Sequence, residues 1–169
     1  CPPVLEFNFF NTQTHGLTEK DVLDSPSFSD IWPDIREFIG GMPLVAHNAP
    51  FDMSVLRAST EQSEIELPQF EYFCSLGLSR NLLPGFPNHK LPTLAKVFGI
   101  SVNHHEAESD AIACAELAIR LCALADSVDF DIPLRQIHEP CAKPNVDHTS
   151  TYAIGISVNA EGDLVEIAE

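Results

Sequence analysis

The chain has 169 residues, enough for one domain of ordinary size with a sizeable buried core. Hydrophobic residues make up 44% and charged residues 20%, which excludes a disordered tail or a low-complexity repeat. Nine Lys and Arg against 25 Asp and Glu leave a net charge of −16; that excludes a broad electrostatic grip on nucleic acid and leaves open a local, metal-assisted grip on one strand end.

From the amino end, residues 4–10 (Val-Leu-Glu-Phe-Asn-Phe-Phe) read as a strand. Thr18, with Asp21 three positions later, marks a helix start. Phe28, Ile31, Trp32, Ile35, Phe38 and Ile39 then recur at helical spacing. Pro33 fits that helix if Ser29 or Asp30 caps it, because proline is tolerated in a first turn, and Gly40-Gly41 ends it. Met42–Ala46 is a short apolar run and reads as a buried strand. The turn from His47 to Asp52 leads into a helix carrying Met53, Val55 and Leu56.

Residues 70–74 read as a further strand, followed by short helices around 76–83 and 91–98, the second ended by Gly99. A long helix spans about 106–125, with an apolar stripe of Ala107, Ala111, Cys114, Ala115, Ala118, Leu121, Cys122 and Ala125. Residues 126–150 carry three Pro and little periodicity, and read as a linker or irregular cover. Tyr152–Val158 and Leu164–Ile167 flank a Gly-bearing loop and predict a β-hairpin. Strands alternating with helices point to an α/β fold.

The longest apolar runs are a few residues long, so no transmembrane helix and no signal peptide can be placed. The five cysteines, at 1, 74, 114, 122 and 141, form no Cys-x-x-Cys pair, which argues against a zinc knuckle or disulfide framework and for a reducing, cytoplasmic setting. The chain opens on Cys1-Pro2-Pro3 instead of Met, as a trimmed or partial sequence would.

Two carboxylates break the local rules. Asp52 follows a buried strand through a short turn, at the carboxyl end where open α/β sheets place their ligands. An acid in a first turn also simply supports the helix start, and that reading stands beside the functional one. Asp110 precedes Cys114, Leu117 and Leu121 by four, seven and eleven residues, so it borders the apolar stripe. A carboxylate there needs a partner: a divalent cation, an Arg or a cap hydrogen bond. His105, five residues earlier, can reach the same region; Ser109 in place of a second His rules out a His-Glu-x-x-His zinc helix. Asp129-Phe130-Asp131 is an acid pair at strand spacing in a stretch that reads as a solvated loop. Phosphate-loop, dinucleotide and serine-nucleophile motifs are all missing.

"HGLTEKDVLDSPSF", "PLVAHNAPFD" and "HHEAESDA", in this order, resemble the DnaQ-like (DEDDh) 3′–5′ exonucleases, over roughly residues 7–125. The resemblance implies a ribonuclease H-like mixed sheet flanked by helices over residues 1–125, here without its first strands. Residues 126–150 would follow as a linker or cover, and 151–169 as a hairpin extension or the start of a second domain. It implies that Asp52 and Asp110 are metal-ligating carboxylates and that His105 is the general base. His15, Asn48 and Phe51 would lie near the terminal nucleotide of a single-stranded DNA or RNA 3′ end. The cofactor would be Mg²⁺ or Mn²⁺ as a two-metal site, with ions about 4 Å apart, and a DNA polymerase subunit is an expected partner.

One departure stands out. The family's first motif, an Asp-x-Glu pair on the first strand, has no counterpart in this sequence. Truncation explains this most simply; a degenerate, inactive homologue and replacement by the C-terminal hairpin are the alternatives. The leading reading is therefore a metal-dependent 3′–5′ exonuclease, with little hydrolysis expected of the 169-residue chain by itself. The alternatives are a catalytically inactive module that binds nucleic-acid ends or a protein, and a metal-binding scaffold.

Overall fold

Two parallel strands joined through a helix form the centre of the structure, a computed structural model that describes Thr12, residues 16–67, 69–103 and 107–138, and the backbone of residues 156–158 and 164–166. The strand expected over 4–10 lies outside these described residues. Strand β1 (Leu44–Ala46) pairs in parallel with β2 (Glu71–Cys74), in the register Leu44 to Tyr72, Val45 to Phe73 and Ala46 to Cys74. The two-residue β3 (Arg135–Gln136) adds to the other edge of β2 in antiparallel fashion. The sheet is thus mixed, in the order β1-β2-β3.

Before β1 come α1 (Glu19–Val22) and α2 (Phe28–Ile39). At α1 the Thr18 backbone N–H and hydroxyl both donate to the Asp21 carboxylate, at 2.7 and 2.6 Å, and these bonds hold that carboxyl below its usual pKa. At α2 the cap is Ser27, not Ser29 or Asp30. Its hydroxyl accepts from the Asp30 N–H at 3.3 Å, while its own N–H donates to Asp30 at 2.9 Å. Pro33 therefore lies inside the helix and past its first turn, offering no N–H to the Ser29 carbonyl. Packing carries the helix across this gap: Trp32 and Ile39 are buried, and the Trp32 ring meets Phe28 at 5.3 Å and Phe70 at 6.4 Å.

Helix α3 (Ala49–Gln62) makes the crossover from β1 to β2, and α4 (Ser75–Leu82), α5 (Leu91–Val97) and α6 (Ala107–Ser127) follow. Alternate residues of β2 face opposite layers, as the two-residue period of a strand requires. Tyr72 enters a core with Trp32, Ile39, Ala49, Met53, Phe70 and Ile137, and Phe73 packs against the other core, built around Leu78, Leu82, Leu94, Leu117 and Leu121.

The long helix runs to Ser127 and turns a different side inward from the expected stripe. Ala113, Cys114, Leu117, Ala118, Leu121 and Ala125 are buried, while Ala107, Ala111 and Ala115 are exposed. Alanines fit either side of a helix; the leucines decide which side turns in. After α6, Val128, Phe130 and Ile132 pack on the core, and Ile137, fully buried, donates its N–H to the Phe70 carbonyl at 2.9 Å. The expected hairpin forms from β4 (Ile156–Val158) and β5 (Leu164–Glu166), antiparallel with Ser157 opposite Val165.

Candidate active site

Because β1 and β2 run in parallel, the segments leaving their carboxyl ends emerge side by side: the turn His47-Asn48 into α3, and Ser75 into α4. Asn48 takes the left-handed conformation at φ 83°, one that asparagine tolerates better than most side-chain-bearing residues. Pro50 then helps to start α3, and Asp52 falls in its first turn. Phe51, beside it, is 65% exposed. Asp110 lies half-buried in the first turn of α6.

Cys114, one turn beyond Asp110, connects these pieces. It is buried, and its sulfur lies 3.6 Å from Ser75 Oγ. Burial pushes the Cys114 thiol above its ordinary pKa, and the negative field of Asp52 pushes it the same way. Asp52 and Asp110 thus both sit around the end of α6 that rests on the β1–α3 turn. Asp52 itself is exposed, yet partial desolvation raises its carboxyl above the usual range, against the one bond it receives from its own backbone N–H.

His47 anchors the turn from below. Its Nε2 lies 2.8 Å from the His89 carbonyl and its Nδ1 lies 3.0 Å from Ser75 Oγ. Burial lowers its pKa, helped by the positive fields of Arg80 and His89 and opposed by the bond to the His89 carbonyl. The neutral ring must donate from Nε2, because a carbonyl only accepts, so Nδ1 accepts the Ser75 proton. Ser75 Oγ also lies 3.3 Å from the Ala46 carbonyl. His47, Ser75 and Cys114 were not among the residues singled out for chemistry in the sequence. The one available signal was a polar residue directly after each of two apolar strands.

Of the six candidate residues, the structure brings Asn48, Phe51, Asp52 and Asp110 to this one end of the sheet. His15 and His105 lie outside the described residues. On either side of residues 104–106 the chain is tied together, the Asn103 N–H donating to Ser109 Oγ at 2.7 Å. Asp129 and Asp131 are both exposed. Among the described residues no three His, Cys, Asp or Glu side chains gather as a metal site. Two carboxylates are hard oxygen donors of the kind Mg²⁺ and Mn²⁺ take, so they fit such an ion in kind while supplying part of a full set.

The sequence model of the family described as Exonuclease matches residues 1–118. The chain belongs to the DnaQ-like exonuclease family. Its mixed sheet flanked by helices is the ribonuclease H-like arrangement expected of that family. Among curated proteins it is similar to DNA polymerase III PolC-type of Bacillus subtilis, 35% identical over 152 residues, which are 87% of this chain and 10% of that protein. The PolC-type protein of Caldanaerobacter subterraneus is 35% identical over 120 residues, 70% of this chain and 8% of that protein. That of Listeria innocua is 39% identical over 107 residues, 63% of this chain and 7% of that protein. The chain therefore spans a tenth or less of the curated relatives it matches. Among the described residues no helix is long and apolar enough to cross a membrane.

Proposed function

We propose that this chain is the 3′–5′ exonuclease part of a replicative DNA polymerase, removing nucleotides from the 3′ end of a DNA strand with Mg²⁺ or Mn²⁺. The observation that carries this is the placement of Asp52 and Asp110 on two different helices that begin at the same end of the sheet, around Cys114. Family membership gives the pair its chemistry, and the polymerase context of the PolC-type relatives favours DNA over RNA, proofreading as the task and a cytoplasmic location.

In this reading Asp52 and Asp110 hold the metal; when bound, it neutralises the scissile phosphate and lowers the pKa of an attacking water. The chain's own residues supply the rest. His105, outside the described residues, takes the water proton; a histidine near its unperturbed pKa of about 6.5 suits that role. Phe51 offers an exposed ring on which a terminal base stacks. Asn48 and His15 border the same nucleotide. The metal answers the charge problem, because a chain of net −16 has few cations of its own to set against phosphate. Two carboxylates alone hold two ions poorly, and among the described residues no group of three joins as a metal site, so turnover by the 169-residue chain itself is expected to be slight. No observation favours the inactive binding module or the bare metal scaffold.

The test uses the chain extended at its amino end by an Asp-x-Glu strand of the family. That form should shorten a labelled single-stranded DNA from its 3′ end only with Mg²⁺ or Mn²⁺, and Asp52→Ala or Asp110→Ala should abolish the shortening. Undiminished cleavage by either variant would refute the assignment.

A further inference from the structure

We infer that the Ser75 hydroxyl is a positioning residue, fixing the spacing of Asp52 and Asp110 by joining the β1–α3 turn to α6 at one buried oxygen. The inference rests on the proposed metal site and adds a residue that never touches the metal.

Asp52 and Asp110 stand 58 positions apart in the chain, on different helices, and the strand pairing fixes only one of them. Asp52 is set by β1 through the two-residue turn His47-Asn48. Asp110 is set by wherever α6 comes to rest. Apolar packing along Leu117, Leu121 and Ala125 holds α6 against the core but tolerates small slides along its axis, because leucine contacts are not directional. Directional bonds remove that freedom, and they occur at Cys114, one turn from Asp110.

There the Cys114 sulfur lies 3.6 Å from Ser75 Oγ. The same hydroxyl lies 3.0 Å from His47 Nδ1 and 3.3 Å from the Ala46 carbonyl. Its single proton goes to Nδ1, the shorter contact, and the Cys114 S–H donates to the oxygen. The His47 ring closes the arrangement by donating to the His89 carbonyl at 2.8 Å, and His89 Nε2 bonds the Leu83 carbonyl at 2.9 Å. Ser75 is fully buried, so water cannot replace the hydroxyl if it is removed. Among the described residues no buried side-chain polar atom lacks a partner, and removing this oxygen would orphan His47 Nδ1.

The experiment follows Mn²⁺-induced broadening of the amide signals of residues 47–52 and 110–114 in ¹⁵N spectra of the 169-residue chain. Broadening confined to these two segments separates the paired carboxylates from general binding to an acidic surface. Ser75→Ala should raise the Mn²⁺ concentration for half-broadening about tenfold, the usual effect of losing a group that orients a ligand. Ser75→Thr, which keeps the hydroxyl, should recover most of that loss. Ile137→Val, which weakens the opposite core, should leave Mn²⁺ binding unchanged. If Ser75→Ala does not fold, Cys114→Val removes the same junction at similar volume and should show the same tenfold loss. If Asp52→Ala abolishes the broadening while Ser75→Ala binds as the unaltered chain does, the positioning role is overturned and the metal site stands. An Ile137→Val loss as large as that of Ser75→Ala also overturns it, since general destabilisation would then explain both. Broadening unchanged by Asp52→Ala overturns the metal site and this inference together.

Discussion

Leu117 tests which side of α6 faces the core, and with it where the helix sets Asp110. Its side chain is 0% exposed among Leu82, Leu94 and Leu121, so Leu117→Ala removes buried methyl groups and leaves a cavity. Such truncations cost about 2–5 kcal/mol, the spread reflecting how far the neighbours collapse into the space. Taking about 3 kcal/mol, and roughly 2–4 °C per kcal/mol for a chain of this size, Tm should fall by about 6–12 °C. Ile119, two positions on and roughly 200° around the helix, is 69% exposed. Ile119→Ala should therefore change stability by no more than about 0.5 kcal/mol. Thermal and urea unfolding of the two variants, followed by circular dichroism, measure both values. A Leu117→Ala loss below about 1 kcal/mol, or an equal loss from Ile119→Ala, would refute the packing described for α6.

The half-buried, neutral His47 makes stability depend on pH. Its folded pKa is lowered, so below the unfolded value of about 6.5 the unfolded chain takes up a proton that the folded chain resists. Its contribution is complete above that pH and lost as pH falls through the range beneath it. Urea midpoints at pH 7.5 and pH 5.5 should differ more for the unaltered chain than for His47→Gln; equal differences would contradict the burial of a neutral ring. Asn48→Gly should leave stability nearly unchanged, whereas Asn48→Val should cost about 1–2 kcal/mol, because a β-branched residue resists the left-handed conformation at φ 83°. If Asn48 also touches the terminal nucleotide, Asn48→Gly should weaken nucleoside monophosphate binding while unfolding stays put, and calorimetry would show an unaltered affinity if it does not.

Much of this architecture was legible because it is periodic. The spacing of Phe28, Trp32, Ile35 and Ile39 marked α2, the apolar run before His47 marked β1, and the abrupt change at Asp52 marked the first turn of α3. Pro33 misled about the cap of α2, since its place in the helix is settled by the Trp32 contact with Phe70 nearly forty residues away in sequence. The inward side of α6 was misread because alanine fits inside and outside alike. Strand β3 has no local signature at all: two residues with polar side chains become a strand only because β2 offers an open edge. His47 and Ser75 escaped notice for a related reason. Their bonds reach across 28, 39 and 42 positions, distances over which no spacing rule operates.

The short return of the chain beside β2 governs how far this domain can be cut back from its carboxyl side. A cut at Ala125 would remove Ile137 and uncover Tyr72 and Phe70, its partners in their core. It would also deprive the Phe70 carbonyl of the Ile137 N–H and the Arg57 guanidinium of the Ile137 carbonyl that it meets at 2.7 Å. Fragments should therefore keep every residue through Ile137 to remain folded.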